Sequence, residues 1–273
     1  MHCTICHHRC KLAEGQTGRC GTRKNEGGKS VSVNYAQLTA LALDPIEKKP
    51  LYRFYPGSSI LSAGSFGCNM ACPFCQNYEI AEARAGTIET RQLSPDMLVK
   101  AALSLRTRGN IGLAFTYNEP MIGFEYVRDA ARIARQKGLR TVVVTNGCVS
   151  QDALVQVLPY IDAYNIDLKC FTPEGYRTLG GDLDMVKAFI QTAAQKAHVE
   201  VTTLVVPGLS DSKAELRKMA KWLAKVSPML PYHITRFFPR KDAPDASPTD
   251  PALLHHMRDI AAEYLQYVFV GNV

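Results

Sequence analysis

Cys68, Cys72 and Cys75 stand as C-x3-C-x2-C within Cys68-Asn69-Met70-Ala71-Cys72-Pro73-Phe74-Cys75. A fully ligated cubane iron–sulfur cluster or a closed zinc site uses one more protein ligand than this loop offers. The spacing therefore predicts a metal centre with a position left for something other than protein. The alternative is a structural zinc loop that borrows a distant fourth ligand, but no histidine or cysteine follows at zinc-finger spacing. A second set, Cys3, Cys6, Cys10 and Cys20, reads C-x2-C-x3-C-x9-C, with Gly15 and Gly18 in its long loop. Four thiolates suffice for tetrahedral zinc or for an auxiliary iron–sulfur cluster, and spacing does not separate the two because both take sulfur ligands. His7 and His8 lie among these cysteines and could substitute; a metal-free tail is the alternative.

These side chains need a frame. Residues 58–64 read as a short buried strand, and Gly67 permits the turn that sends the cysteines into a loop. Pro73 opposes helix inside the loop, and Phe74 places an aromatic wall beside the last thiolate. Strand patterns recur at 112–116, 139–145, 163–168, 199–206 and 232–237. Helical spacing covers 120–137, 211–225 with a cap from Ser210 or Asp211, and 251–264. Strands separated by helices require right-handed crossovers, hence a parallel sheet with helices outside. Six such strands predict an α/β fold, a TIM-like partial (β/α)6 barrel over 58–240. Residues 1–30 are then a small cysteine-rich metal-binding segment, 31–57 a connector, and 241–273 a C-terminal helix and strand.

Barrels carry chemistry at the carboxyl ends of their strands. Asn118 and Glu119 fall there, as do Thr145 and Asn146, Asp167 and Lys169, Val206, and His233 at the sixth strand. Asp167 and Lys169, two apart on one strand, face the same way, so each can neutralise the other in a barrel mouth. The bland readings are a helix start at Asn-Glu-Pro, an Asn-Gly turn, a structural ion pair and a core histidine. Cys170 reads as a small buried residue, and Cys148 has no assigned role.

A chain of 273 residues that is 46% hydrophobic fits one large α/β domain with an appendage. Nothing reads as a signal peptide or an apolar run of about 18 residues, which predicts a soluble, cytoplasmic protein without membrane attachment. In that reducing compartment the 9 cysteines point to metal rather than disulfides. The formal charge of +7 is scattered apart from Glu47-Lys48-Lys49 and the Arg19–Lys29 stretch, which fits a solvated basic surface better than nucleic-acid binding.

The cysteine loop, C-x3-C-x-aromatic-C here, resembles that of the radical S-adenosylmethionine superfamily. The resemblance implies a [4Fe–4S] cluster on Cys68, Cys72 and Cys75 whose open iron takes the methionyl amine and carboxylate of S-adenosylmethionine, with cleavage to a 5′-deoxyadenosyl radical. It implies that Glu119 matches the acidic residue of a Gly-Gly-Glu motif that binds the methionyl amine, while Tyr117-Asn118 departs from the glycines and leaves open whether Asn118 shares that contact or braces the loop. Thr145-Asn146-Gly147 resembles an Asp-Thr-Asn-Gly segment of glycyl-radical-enzyme activases, near ribose and substrate, with Val144 in place of the aspartate. Asp167-Leu168-Lys169 matches the same activases, which puts Lys169 near the cofactor carboxylate or substrate; Val206 would face adenine, and His233 would lie by the cofactor.

With the amino-terminal cysteines, Asp44–Tyr52, Thr116–Pro120, His233–Phe237 and the closing Val270–Val273, the chain resembles AmmeMemoRadiSam-system radical enzymes, relatives of pyruvate-formate-lyase activating enzymes. That implies an electron donor such as flavodoxin or ferredoxin, Memo-like and AMMECR-like partners, and a protein, peptide or small-molecule substrate, with glycyl-radical activation as one version. Longer members continue into another cysteine-bearing tail, so a chain stopping at Val273 is a short member or lacks that tail. The competing classes are a non-catalytic metal-binding module that docks on nucleic acid and an electron-transfer protein.

Overall fold

β-Branched runs that are apolar on both faces belong in the interior of a parallel sheet. Arg140–Thr145, with three consecutive valines, is such a run and sits fourth from one edge. The computed structural model describes residues 1–239 and 247–273, so the domain boundary expected at 240/241 lies outside the described residues. Its main sheet has eight strands: β1 (Ala40–Pro45), β2 (Ser59–Gly64), β3 (Asn110–Phe115), β4 (Arg140–Thr145), β5 (Ala163–Asp167), β6 (His198–Val205), β7 (Tyr232–Arg236) and β8 (Val268–Gly271). They lie in chain order from β1 to β8. Every neighbouring pair is parallel except β1 with β2.

The six expected strands are β2 to β7, and two more join at the edges. The C-terminal strand becomes a further parallel partner, β8 against β7. The other, β1, comes from the stretch expected to be a plain connector. Its pattern conceals it, because Leu41 is 38% exposed at the edge while Asp44 is buried.

Outside the sheet lie α1 (Pro95–Ser104), α2 (Phe124–Gln136), α3 (Gln151–Val157), α4 (Leu183–Ala193), α5 (Lys213–Val226) and α6 (Pro251–Ala262). The apolar face of α2, with Phe124, Val127, Ala131 and Ala134 at intervals of three and four, is buried. The cap of α5 is Ser212, accepting from Glu215 N, not Ser210 or Asp211. Those two are engaged by the preceding turn: Ser210 Oγ bonds Val206 N and Leu204 O, and Asp211 accepts from Gly208 N. Among the described residues no helix is long and apolar enough to cross a membrane.

The connector also packs against the sheet. Ile46, Leu51 and Phe54 form a cluster with Ile60, Ala114, Val142 and Ala163 on β2 to β5. The cysteine-rich segment continues into a hairpin, Arg23–Glu26 with Lys29–Ser32, and is anchored to α2 by one buried side chain. Arg23 donates through both terminal nitrogens to Glu125, each at 2.6 Å, and through Nε to Ile122 O. Losing one partner of such a pair typically costs about 3–5 kcal/mol, because the other charge is left buried.

Candidate active site

The loops after β2, β3, β4 and β5 converge on one cavity of about 450 Å³. Cys68, Cys72 and Cys75 line it on one side, and Glu119, Thr145, Asn146, Asp167, Lys169 and His233 line the rest. Phe74 and Asn118 also reach it. Residues more than a hundred positions apart in sequence thus share one open cavity because parallel strands end on the same side.

Backbone geometry shapes the cysteine loop. Cys75 N bonds Cys72 O, and Ala71 N is fixed by Leu179 O. Gly67 enters the loop at φ +86°, where an added Cβ would lie 2.4 Å from Thr22 Cγ2 and 2.5 Å from Cys20 O. Gly67→Ala should therefore wedge the amino-terminal segment off the loop and cost about 2–4 kcal/mol, read as a lowered urea midpoint.

Two N–H groups aim at the Cys68 sulfur: Met70 N at 3.4 Å and Asn146 Nδ2 at 3.7 Å. Burial, then the nearby Glu119 carboxyl, push that thiol well above its usual range. A thiolate there calls for a cation beside it, and such N–H donors are the groups that orient a ligating sulfur. Among the described residues no three His, Cys, Asp or Glu side chains already stand as a ready-made metal site. The thiols are neighbours rather than a finished cage.

Glu119 is buried, and burial pushes its carboxyl up to about 7 against the donors that favour its charge. Its Oε1 accepts from Met121 N at 2.9 Å and Thr145 Oγ1 at 2.7 Å, and its Oε2 from Asn146 N at 2.7 Å. Asn146 in turn donates to Asn69 Oδ1 inside the cysteine loop. Asn118 is committed differently. It accepts from Ser65 N and donates to Phe66 O and Gly67 O, so its amide braces the turn into the cysteine loop.

Lys169 Nζ meets Asp167 Oδ2 at 2.9 Å. Burial alone would lower the ammonium, but Asp167 and the Cys72 sulfur raise it above its ordinary value, so it stays charged. Val206 is not among the residues lining the cavity, contrary to its expected place facing adenine. The strand ends at Val205, and Val206 opens the turn, its N–H bonded to Ser210 Oγ. Thr202 and Leu204 line the wall instead.

The amino-terminal thiols stand outside this cavity. Burial, then the nearby Cys20, Cys3 and Cys10, raise the Cys6 thiol to about 11. Their segment touches the cysteine loop directly: His8 Nε2 lies 2.8 Å from Asn69 O. Cys148, without a role in sequence, is buried with its sulfur 3.1 Å from His7 Nδ1 and accepts from Asp182 N. Cys170 is fully buried, as expected.

Sequence reasoning missed the contacts that hold Tyr117, which lines the cavity. Tyr117, at φ +76°, donates to Asp44 Oδ2 at 2.6 Å, and Lys49 Nζ bonds the same oxygen at 2.8 Å while lying 4.5 Å from the Tyr117 ring centroid. Glu200, whose partners are Tyr52, Arg53, His198 and His233, was also missed. An acidic residue between valines in a buried strand was the available signal.

Residues 64–223, more than half of the chain, match the Radical SAM superfamily. An uncharacterized protein of Methanocaldococcus jannaschii is 34% identical over 276 aligned residues, covering 100% of this chain and 81% of its own length. The pyruvate formate-lyase-activating enzyme of Clostridium pasteurianum is 25% identical, covering 61% of this chain and 72% of its own. Among solved structures, a radical SAM methyltransferase from Sphaerobacter thermophilus superposes with a TM-score of 0.60 at 16% identity, covering 80% of this chain and 67% of that one, a likeness of fold. Cysteines, strand ends and sequence similarity agree, and the chain belongs to the radical SAM superfamily.

Proposed function

We propose that Cys68, Cys72 and Cys75 hold the [4Fe–4S] cluster of this radical SAM enzyme, and that S-adenosylmethionine occupies the cavity beside it. The observation that carries this is the meeting of the three cysteines with Glu119, Asn146 and Lys169 around one cavity. Bound together, the cluster and S-adenosylmethionine supply one-electron cleavage of the sulfonium and a 5′-deoxyadenosyl radical that abstracts hydrogen from a substrate.

The chain's own groups orient and shield. Met70 N and the Asn146 amide hold the Cys68 sulfur, and Phe74 keeps water from the loop. Glu119 presents a carboxyl to the methionyl amine while tying β3 to β4. Lys169 supplies a fixed positive charge for a carboxylate, with Asp167 holding it in place. Thr145 and His233 bound the nucleoside end, and Asn118 contributes by bracing the loop.

We further propose that Cys3, Cys6, Cys10 and Cys20 bind zinc or an auxiliary cluster, and that residues 1–30 act as a metal segment. The enzyme is read as an AmmeMemoRadiSam-system member working in the cytoplasm, with flavodoxin or ferredoxin as electron donor and a substrate delivered by a Memo-like or AMMECR-like partner. The homology to activating enzymes favours a protein or peptide substrate, glycyl-radical activation being one form.

Anaerobic reconstitution with iron and sulfide, reduction by dithionite and assay of 5′-deoxyadenosine test this reading. Turnover of S-adenosylmethionine with iron and sulfide bound is expected, and metal analysis of the same sample identifies the amino-terminal ion. Cluster-loaded protein that forms no 5′-deoxyadenosine, alone or with candidate partners, would overturn it.

A further inference from the structure

Glu200 lies on β6, two residues before Thr202 of the cavity wall, with none of its side chain exposed. A carboxylate buried so fully must be matched by donors. Four are present: His233 Nε2 at 2.6 Å and Tyr52 N at 3.0 Å on Oε2, Arg53 N at 2.8 Å and His198 Nε2 at 2.9 Å on Oε1. Burial by itself would raise this carboxyl, but the two histidines and the Arg53 N–H hold it down at about 2.

A carboxylate only accepts, so the hydrogen bond to His233 places a proton on Nε2 and leaves Nδ1 of the neutral ring as an acceptor. No described residue occupies that nitrogen, and His233 lines the cavity. The ring plane is fixed as well. Phe269 stacks on it at 5.2 Å between centroids, and Tyr52 meets it edge-on at 4.7 Å. Tyr52 is held by the same carboxylate through its backbone N–H, so one buried group sets both the imidazole and the ring beside it.

We propose that Glu200 is a positioning residue for S-adenosylmethionine, holding His233 in the tautomer whose Nδ1 accepts from a hydroxyl or amino hydrogen of the nucleoside. This rests on the cofactor occupying the cavity described above. His198 provides the contrast, since it bonds the other carboxylate oxygen and does not line the cavity.

In Glu200→Leu the His233 Nε2–H loses its acceptor, so nothing holds the ring in the tautomer whose Nδ1 accepts.

Two measurements test the assignment. Long-range 15N–1H correlation spectra of the full-length protein before cluster loading report the His233 tautomer directly: a protonated Nε2 and bare Nδ1 are expected, and the reverse would overturn the proposal without any variant. Equilibrium binding of S-adenosylmethionine to cluster-loaded protein comes second. Glu200→Leu should weaken binding roughly tenfold at unchanged iron content, as loss of a hydrogen bond implies, with the single Nε2-protonated 15N pattern lost. His198→Asn, which removes a different bond from the same carboxylate, should leave binding unchanged. Parallel losses in both variants, or unaltered binding in folded Glu200→Leu, would overturn the proposal. If the wild type itself fails to bind, the cavity assignment falls and this proposal with it, whereas failure confined to the variants touches Glu200 alone.

Discussion

Cys72→Ala is expected to reduce 5′-deoxyadenosine formation by more than about 100-fold, beyond the loss seen when an outer-shell partner of a metal site is removed. Cys72 is the central cysteine of the loop, it lines the cavity, and its sulfur is near enough to help raise the Lys169 ammonium. With two thiolates left, the loop falls short of the three-ligand set that family membership calls for. Iron and sulfide content should fall together with activity, while the fold survives, because the loop's backbone is fixed by Ala71 N to Leu179 O and by Asn69 to Cys148 O. Retained cleavage of S-adenosylmethionine by Cys72→Ala would remove the cluster from this loop. A nucleic-acid module or a simple electron carrier would show no cofactor cleavage in the wild type either.

The parts of this site that were legible in sequence are those whose geometry is local. A C-x3-C-x2-C loop is close in space because it is close along the chain, and a polar residue at the end of a β-branched run stands at a barrel mouth because every parallel strand ends on the same side. Hence Glu119, Asn146 and Lys169 were placed around the cavity from their neighbours alone. Val206 failed by the same logic. Its strand stopped one residue sooner, where Ser210 drew the backbone into a turn, so Val206 left the face that Thr202 and Leu204 present to the cavity.

The illegible parts are contacts between distant segments. Tyr52 N and Glu200 are 148 positions apart, and no pattern in either stretch announces the other. The connector looked inert because its apolar residues follow no regular strand or helix spacing, yet Ile46 and Leu51 are fully buried against the sheet. Asn118 illustrates a further limit: sequence marks an amide near a site, but only the neighbouring Ser65, Phe66 and Gly67 reveal that it serves the backbone.

Cys6→Ser should act on stability first and on chemistry through it. The amino-terminal segment has a small apolar complement, with Leu12, Cys3, Cys6 and Cys20 its buried hydrophobic members, so the metal ligation proposed above would supply the cross-links that a core otherwise provides. Structural zinc contributes about 10–16 kcal/mol in isolated small domains, and here the segment is also anchored by Arg23 on Glu125, so a smaller loss of several kcal/mol is expected. That corresponds to a fall on the order of 10 °C in Tm. The effect should reach the cysteine loop, because His8 bonds Asn69 O, and Cys20 O and Thr22 pack on Gly67. Limited proteolysis should cut first within residues 1–30, and the radical SAM cluster should be lost faster on air exposure than in the wild type. Differential scanning calorimetry with metal analysis checks this: a Cys6→Ser protein that keeps its zinc or auxiliary iron, its Tm and its cluster lifetime would show that Cys6 ligates no metal and that the segment does not depend on one.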